Sequence, residues 1–370
     1  MSALPPTVQA LADAGYLVLP AFAEPHAHLD KAFLAERVEN PTGDLLGAIW
    51  AMERARDSIS VADTIERAER AARLLAANGC TAIRTHADLT LTSGLASVEA
   101  LIEVRRRLRD VVEIQVAPLC SWPSIGPEGA DQRALLRDAI AMGVDVVGGC
   151  PHLESDPSAA NENLLTMAAE AGLPVDLHTD ETLNPAICAL EDLAERVVAS
   201  GFPHGVTASH CVSLSVQPAH RQCEVAEKVA AAGINVIALP HTNLFLQGRD
   251  YPVATPRAVT AVRALREAGV NVAAGADNLQ DPFNPVGRGD PLETAGLMIM
   301  TAHALPADAL EMVSGAARRA MGLGPCMDYV CVRAATIREA IAFGPADRVV
   351  VRNGSRLESV NTGRPRAEYT

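Results

Sequence analysis

The chain has 370 residues, 49% of them hydrophobic and only 3% aromatic, which is enough apolar material for a large core. A formal net charge of −14, only two lysines (Lys31 and Lys228) and no basic stretch interleaved with aromatics argue against a nucleic-acid partner. No apolar run reaches the ~18 residues of a membrane span, no leader pattern opens the chain, and the eight cysteines lie scattered, so the expectation is a cytoplasmic protein without a membrane partner.

In chain order, short β-branched runs alternate with longer stretches of helical period. The first run is "YLVLPAFAEPH" (16–26), followed after one residue by a second histidine, His28. A helical stretch with Ser60 or Asp63 near its start and Gly79 at its end leads to "CTAIRTHADL" (80–89), carrying His86 and Asp88. "VVEIQVAPLC" (111–120) follows, then "VDVVGGCPH" (144–152) with His152, and "PVDLHTDE" (174–181) with His178 and Glu181. The last three are "GVTASHC" (205–211) with His210, "INVIALPHTN" (234–243) with His241, and "VNVAAGADN" (270–278) with Asp277. Five of these runs follow an Ala-x-Gly or similar helix ending, where glycine suits a C-terminal cap with positive φ.

Eight such units predict an α/β chain folded as a (β/α)8 TIM barrel over residues 17–323, with residues 1–16 as an N-terminal extension. Strand-like pieces in 324–370 predict a small, reduced β appendage or tail. An open doubly wound sheet would want a glycine-rich phosphate loop after the first strand, and "FAEPHAHLDK" is unlike one. In a barrel, catalytic groups gather at the C-terminal strand ends, and seven of the ten histidines fall at such ends.

A single histidine at a strand end is ordinarily a hydrogen-bonded polar residue. His26 and His28 differ, because positions i and i+2 of a strand point the same way and can offer two imidazoles to one ion. Adding His178 and Asp277 gives a nitrogen-rich set with one carboxylate, which suits Zn²⁺ or Fe²⁺ and leaves room for water. The "HLE" at 152–154 imitates half of another zinc-deaminase signature, but "PCMDYVC" at 325–331 has the wrong spacing for its partner.

The segments "EPHAHLDK", "GCTAIRTHADL", "GVDVVGGCPHLE", "VDLHTDE", "VTASHC", "NLFLQGR" and "GVNVAAGADNLQDPFNPVG" together resemble the amidohydrolase superfamily, in its cytosine deaminase-like branch, over roughly residues 17–350. The resemblance implies that His26, His28, His178 and Asp277 bind one divalent metal ion, that Glu181 shuttles protons and that His210 positions the attacking water. Binuclear relatives use a carbamylated lysine near the fourth strand; neither lysine can be placed there, so one ion is expected. Such an ion lowers the pKa of a bound water from ~15.7 towards ~7, and Asp277 can accept the proton released.

The departures concern specificity. The glutamine with which cytosine deaminases read the pyrimidine edge is missing, and by length matching Cys120 takes its place. Asn278 replaces the family's second acid. Trp122 is placed to stack on a flat ring or to serve as core or lid, and His152 to line the pocket or support its wall. Lys31 faces the substrate or is a charge on the first loop, and Cys120 has no neighbouring histidine that would make it a nucleophile.

The expected activity is hydrolytic deamination of an amino-substituted nitrogen heterocycle, a small molecule such as a pterin, a triazine or a modified pyrimidine. One alternative is hydrolysis of a cyclic or substituted amide, or displacement of an alkylamine. Another is a catalytically silent barrel that binds a ligand. Self-association is left open.

Overall fold

The computed structural model describes residues 4–357, and the part of the expected C-terminal tail beyond 357 lies outside the described residues. Eight parallel strands form one sheet in chain order: β2 (Phe22–Ala27), β3 (Cys80–Leu89), β4 (Glu113–Cys120), β5 (Val147–Gly149), β6 (Val175–Thr179), β7 (Val206–His210), β8 (Asn235–Ala238) and β9 (Val272–Ala274). An isolated parallel bridge between Ala27 and Asp277 closes the sheet on itself, so the architecture is the expected (β/α)8 barrel.

The helices between the strands turn an apolar stripe inward. In the helix Val61–Ala77, Ser60 Oγ accepts from Asp63 N at 3.2 Å, and Ala68, Ala71, Ala72 and Leu75 are buried against the barrel. The five glycines expected to end helices, Gly79, Gly143, Gly172, Gly233 and Gly269, all have positive φ. At Gly79 the constraint is doubled, because a Cβ there would lie 2.9 Å from Phe22 Cδ2.

The first strand-like run is corrected in one respect. Residues 17–20 form a separate strand, β1 (Leu17–Pro20), outside the barrel. It pairs antiparallel with β10 (Tyr329–Val332), which continues to β11 (Arg348–Arg352) and β12 (Ser355–Arg356). The appendage is therefore built from both ends of the chain. The helix Pro6–Asp13 covers it through Val8 and Leu11, which pack with Cys331 and Val351. Arg348 ties it to the barrel: its guanidinium donates to both carboxylate oxygens of buried Asp290, at 2.8 and 2.7 Å, and to Asn78 O at 2.9 Å.

The barrel interior is layered. At its N-terminal end Ala23, Ala82, Ile237 and Ala273 meet Ala316, Ala317 and Ala320 of the helix Gly315–Ala320, which plugs the floor. Above the plug Arg84 donates to Asp176 Oδ2 at 2.7 Å and Gln115 Oε1 at 3.0 Å, and Thr207 donates to Ala320 O at 3.0 Å. The layer above that is made of histidines.

Candidate active site

The barrel seam builds the centre of the site. Asp277 N donates to His26 O at 3.0 Å and His28 N donates to Asp277 O at 3.1 Å, so the carboxylate of Asp277 is stitched between the two imidazoles of the first strand. Glu24 reinforces the seam: its buried carboxylate accepts from His26 N at 3.2 Å and from Ala276 N at 3.1 Å. Burial, only partly offset by those two amides, pushes the Glu24 carboxyl up to about 8. A Cβ at Gly275 would lie 2.4 Å from Glu24 Oε1, so the close approach requires glycine.

A polar chain rises from the floor to His26. Ser209 Oγ donates to Asp176 Oδ1 at 2.9 Å, and His26 Nδ1 lies 2.9 Å from the same hydroxyl. The hydroxyl proton is committed to Asp176, so the oxygen accepts from His26 Nδ1–H, and the Nε2 lone pair turns to the centre of the barrel. His178, from β6, brings its Nε2 to 3.2 Å from that of His26 and 3.1 Å from that of His28. Burial first, then the neighbouring cationic and imidazole groups, holds all three rings well below the ordinary imidazole range, in their neutral form.

These residues fit a divalent cation. His28 Nε2 lies 3.3 Å and His26 Nε2 3.6 Å from Asp277 Oδ1. A tetrahedron with bonds of ~2.1 Å has edges of about 3.4 Å, and the contacts of His178 with His26 and His28, and of those two with Asp277, are all close to that length. Three neutral imidazole nitrogens this close have at most one proton to share between each pair. Both Asp277 oxygens are buried without a hydrogen-bond partner, a costly state that a cation removes. His26, His28 and Asp277 come together in one group able to hold an ion, and His26, His178 and His86 in an overlapping one.

Beside this centre, His210 Nδ1 lies 3.0 Å from Asn243 Oδ1, which leaves Nε2 as an acceptor 3.9 Å from Asp277 Oδ2. His210 and Asp277 both adopt left-handed backbone, with φ of 69° and 65°, as strained residues at working sites often do. Glu181 is buried, with Oε1 unpartnered and 3.7 Å from His210 Nδ1. Burial, and then the Asp277 carboxylate, pushes its carboxyl well above the usual range. Gln247 Nε2 holds its backbone in place by donating to Glu181 O at 3.0 Å.

His178, Glu181, His210 and Asp277 open into one cavity at the barrel mouth. Lys31, Trp122 and Asn278, three of the residues expected to meet substrate, line it. Lys31 Nζ donates to Asp88 Oδ1 at 2.6 Å and lies 4.9 Å from the centre of the Phe283 ring. Burial lowers its pKa, but the carboxylates of Asp88 and Asp30 outweigh that and the net shift is upward, so it stays charged. Asn278 Nδ2 donates to Asp281 Oδ2 at 2.8 Å and its Oδ1 accepts from Thr242 at 3.2 Å.

One expectation is corrected, and for His152 the second of its two expected places, support of the wall, is the one observed. Cys120 belongs to the buried core, with Gln132 Nε2 3.8 Å from its sulfur; Leu119 and Ser121, its neighbours of opposite parity, line the cavity instead. His152 does not line the cavity either. It stands behind the wall, its Nδ1 3.0 Å from His178 O, and braces that strand end. Sequence reasoning passed over Ser209, Asp176 and Asn243, although Asp176 is two residues before His178 on the same strand face and so carried a readable signal.

A barrel whose C-terminal mouth gathers imidazoles, a seam carboxylate and a buried proton-bearing acid is the framework of a metal-dependent hydrolase. The chain belongs to the amidohydrolase family, described as "Amidohydrolase family", whose model matches residues 34–325. It is a hydrolase of C–N bonds other than peptide bonds. It is 34% identical to a pterin deaminase of Rhizobium rhizogenes over 359 residues, 92% of this chain and 80% of that protein. Among solved structures it is similar to 5-methylcytosine deaminase from Klebsiella pneumoniae liganded with 5-fluorocytosine. That match has a TM-score of 0.86 at 32% identity and covers 93% of this chain and 86% of the other. It is also similar to N-isopropylammelide isopropylaminohydrolase from Burkholderia multivorans, with a TM-score of 0.78 at 31% identity, covering 93% and 87%. Among the described residues no helix is long and apolar enough to cross a membrane.

Proposed function

We propose that the protein hydrolytically deaminates an amino-substituted nitrogen heterocycle, with His26, His28, His178 and Asp277 holding one divalent ion, Zn²⁺ or Fe²⁺. The observation that carries the reading is that Glu181, a buried carboxyl with an unpartnered oxygen and a pKa pushed above the usual range, lines the same cavity as His28, His178, His210 and Asp277, with His26 packed against His178 behind them. When bound, the ion supplies the acidity that makes water nucleophilic near neutral pH.

The remaining work falls to the chain. His210 Nε2, its tautomer set by Asn243, accepts a hydrogen bond from the attacking water and orients it. The free Asp277 Oδ2 takes the proton that water gives up. Glu181 protonates the ring nitrogen beside the attacked carbon. As the carboxylate so formed it takes the proton of the new hydroxyl while the carbonyl forms and passes it to the departing amine, so that ammonia leaves as a neutral group, and the proton held by Asp277 returns Glu181 to its acid form. Leu119, Trp122 and Phe283 supply apolar surface against which a flat ring can lie, and Asn278 and Lys31 are the polar groups beside it.

The test is ammonia release by the metal-replete protein from a panel of aminopteridines, aminotriazines and aminopyrimidines. Release from at least one ring, lost on chelation and restored by Zn²⁺ or Fe²⁺, is the expected result. Ring opening without ammonia would overturn it in favour of a cyclic amidase, and absence of both turnover and metal uptake in favour of a silent barrel. Similarity to an isopropylaminohydrolase supports a second reading, in which the leaving group is an alkylamine; isopropylamine release from an N-isopropylamino triazine separates the two.

A further inference from the structure

We propose that Arg56 is a specificity residue of this cavity, and that the substrate carries a carboxylate remote from the amino group that leaves. The inference rests on the deamination reading above and narrows its substrate class.

Arg56 stands where the helix Leu45–Ala55 passes into a single 3-10 turn, Arg56–Ser58, and lines the cavity. Its Nε is shielded from solvent and has no acceptor. The buried arginines are satisfied within the fold: Arg67 donates to Asp30 O and Ala32 O, Arg84 to Asp176, and Arg348 to Asp290; Arg318, which also has a shielded nitrogen without a partner, still donates to Gly324 O through Nε. Arg56 makes no side-chain hydrogen bond and no ion pair among the described residues. A half-buried guanidinium left this way needs an acceptor from elsewhere, and its planar fork matches the two oxygens of a carboxylate.

The other cation on this wall is already committed. Lys31 Nζ lies 2.6 Å from Asp88 Oδ1, so the Lys31–Asp88 pair brings no net charge to a ligand. Two acids of the wall stand near the guanidinium: Asp88, which is held by Lys31, and Glu53, three residues before Arg56; neither forms an ion pair with Arg56. The opposing charges of Glu53 and Arg56 make a prediction of opposite sign for the two residues.

Both tryptophans of the chain, Trp50 and Trp122, line the same cavity, so intrinsic fluorescence reports its occupancy without turnover. The experiment compares wild type, Arg56→Gln, Arg56→Lys and Glu53→Gln, all metal-replete and checked for fold by circular dichroism. The substrates are two pairs: pterin and a pterin bearing a carboxylate on its distal ring, 1-methylcytosine and 1-carboxymethylcytosine, whose carboxylate lies across the ring from the C4 amine. The quantity read is the ratio of kcat/KM for the carboxylated over the plain member of a pair.

In Arg56→Gln this ratio is expected to fall on the order of 10- to 100-fold through KM, as loss of a charged hydrogen bond to a remote group does. Arg56→Lys should recover part of it, and Glu53→Gln should raise the ratio. A ratio that stays within about twofold of wild type in Arg56→Gln overturns the proposal. If wild type releases ammonia from none of the four rings, the deamination reading fails for these rings, and fluorescence titration with the carboxylated rings then decides the Arg56 assignment. Binding weakened by Arg56→Gln upholds it; binding insensitive to Arg56→Gln, or no binding at all, overturns it.

Discussion

The two ends of one barrel treat buried polar groups in opposite ways. Near the floor, Arg84 meets Asp176 and Gln115, and Thr207 meets a plug carbonyl, all within 3.0 Å. At the mouth, His178 Nδ1, Glu181 Oε1, His210 Nε2 and both oxygens of Asp277 are shielded and unpartnered. Unsatisfied buried groups destabilise a fold, so their concentration in one layer marks where the molecule expects an ion, a water and a substrate. The satisfied end supplies the rigidity that holds the unsatisfied end open.

Substitutions can break that contrast at either end. The largest effect on turnover is expected from Glu181→Gln, which keeps the side chain's size and removes the transferable proton. Turnover should fall roughly 10²- to 10⁴-fold while metal content, measured by elemental analysis, is unchanged. Unaltered turnover would remove Glu181 from the mechanism.

At the satisfied end, Arg348→Met leaves Asp290 buried without its partner and should cost about 3–5 kcal/mol in urea unfolding. The folded fraction should still bind metal, because the pair lies in the junction with the appendage, away from the mouth. A loss below about 1 kcal/mol would show that the junction contributes little.

Ser209→Ala breaks the link between the ends. It frees the tautomer of His26 and should weaken metal affinity about 10- to 100-fold in chelator competition. Ser209→Thr, which keeps the hydroxyl, should restore most of that affinity; equal loss in both variants would point to packing instead.

The smallest effect sharpens a correction. Cys120→Ala should cost about 1 kcal/mol of stability and leave kcat/KM within about twofold, as expected of a core thiol. A larger kinetic effect would return Cys120 to the cavity wall.

Much of the fold was legible because a parallel barrel strand announces itself: an apolar run, a polar residue at its end, a glycine-capped helix before it. The division at Ala21 was not legible. A continuous apolar run looks the same whether it forms one strand or serves two sheets, and the partner that claims residues 17–20 lies more than 300 positions away at β10. The candidate ligands could be named because each falls at a strand end. Which residue near the end of β4 faces inward could not be decided, since a single step of register exchanges Leu119 for Cys120. The chain of contacts behind His26 was hidden for a different reason. Its members come from three strands, and only the closed barrel brings Arg84, Asp176 and Ser209 into line.

The seam between the first and last strands has a consequence for how this protein ages. The two backbone hydrogen bonds at Asp277 close the cylinder between the residues proposed to hold the ion, so one latch would serve both purposes. Chelation should therefore register first as faster amide exchange at His28 and Asp277, before any global unfolding, and as new protease cuts in the neighbouring loop. If the proposed ion is bound there, its supply would set the lifetime of the polypeptide as well as its activity.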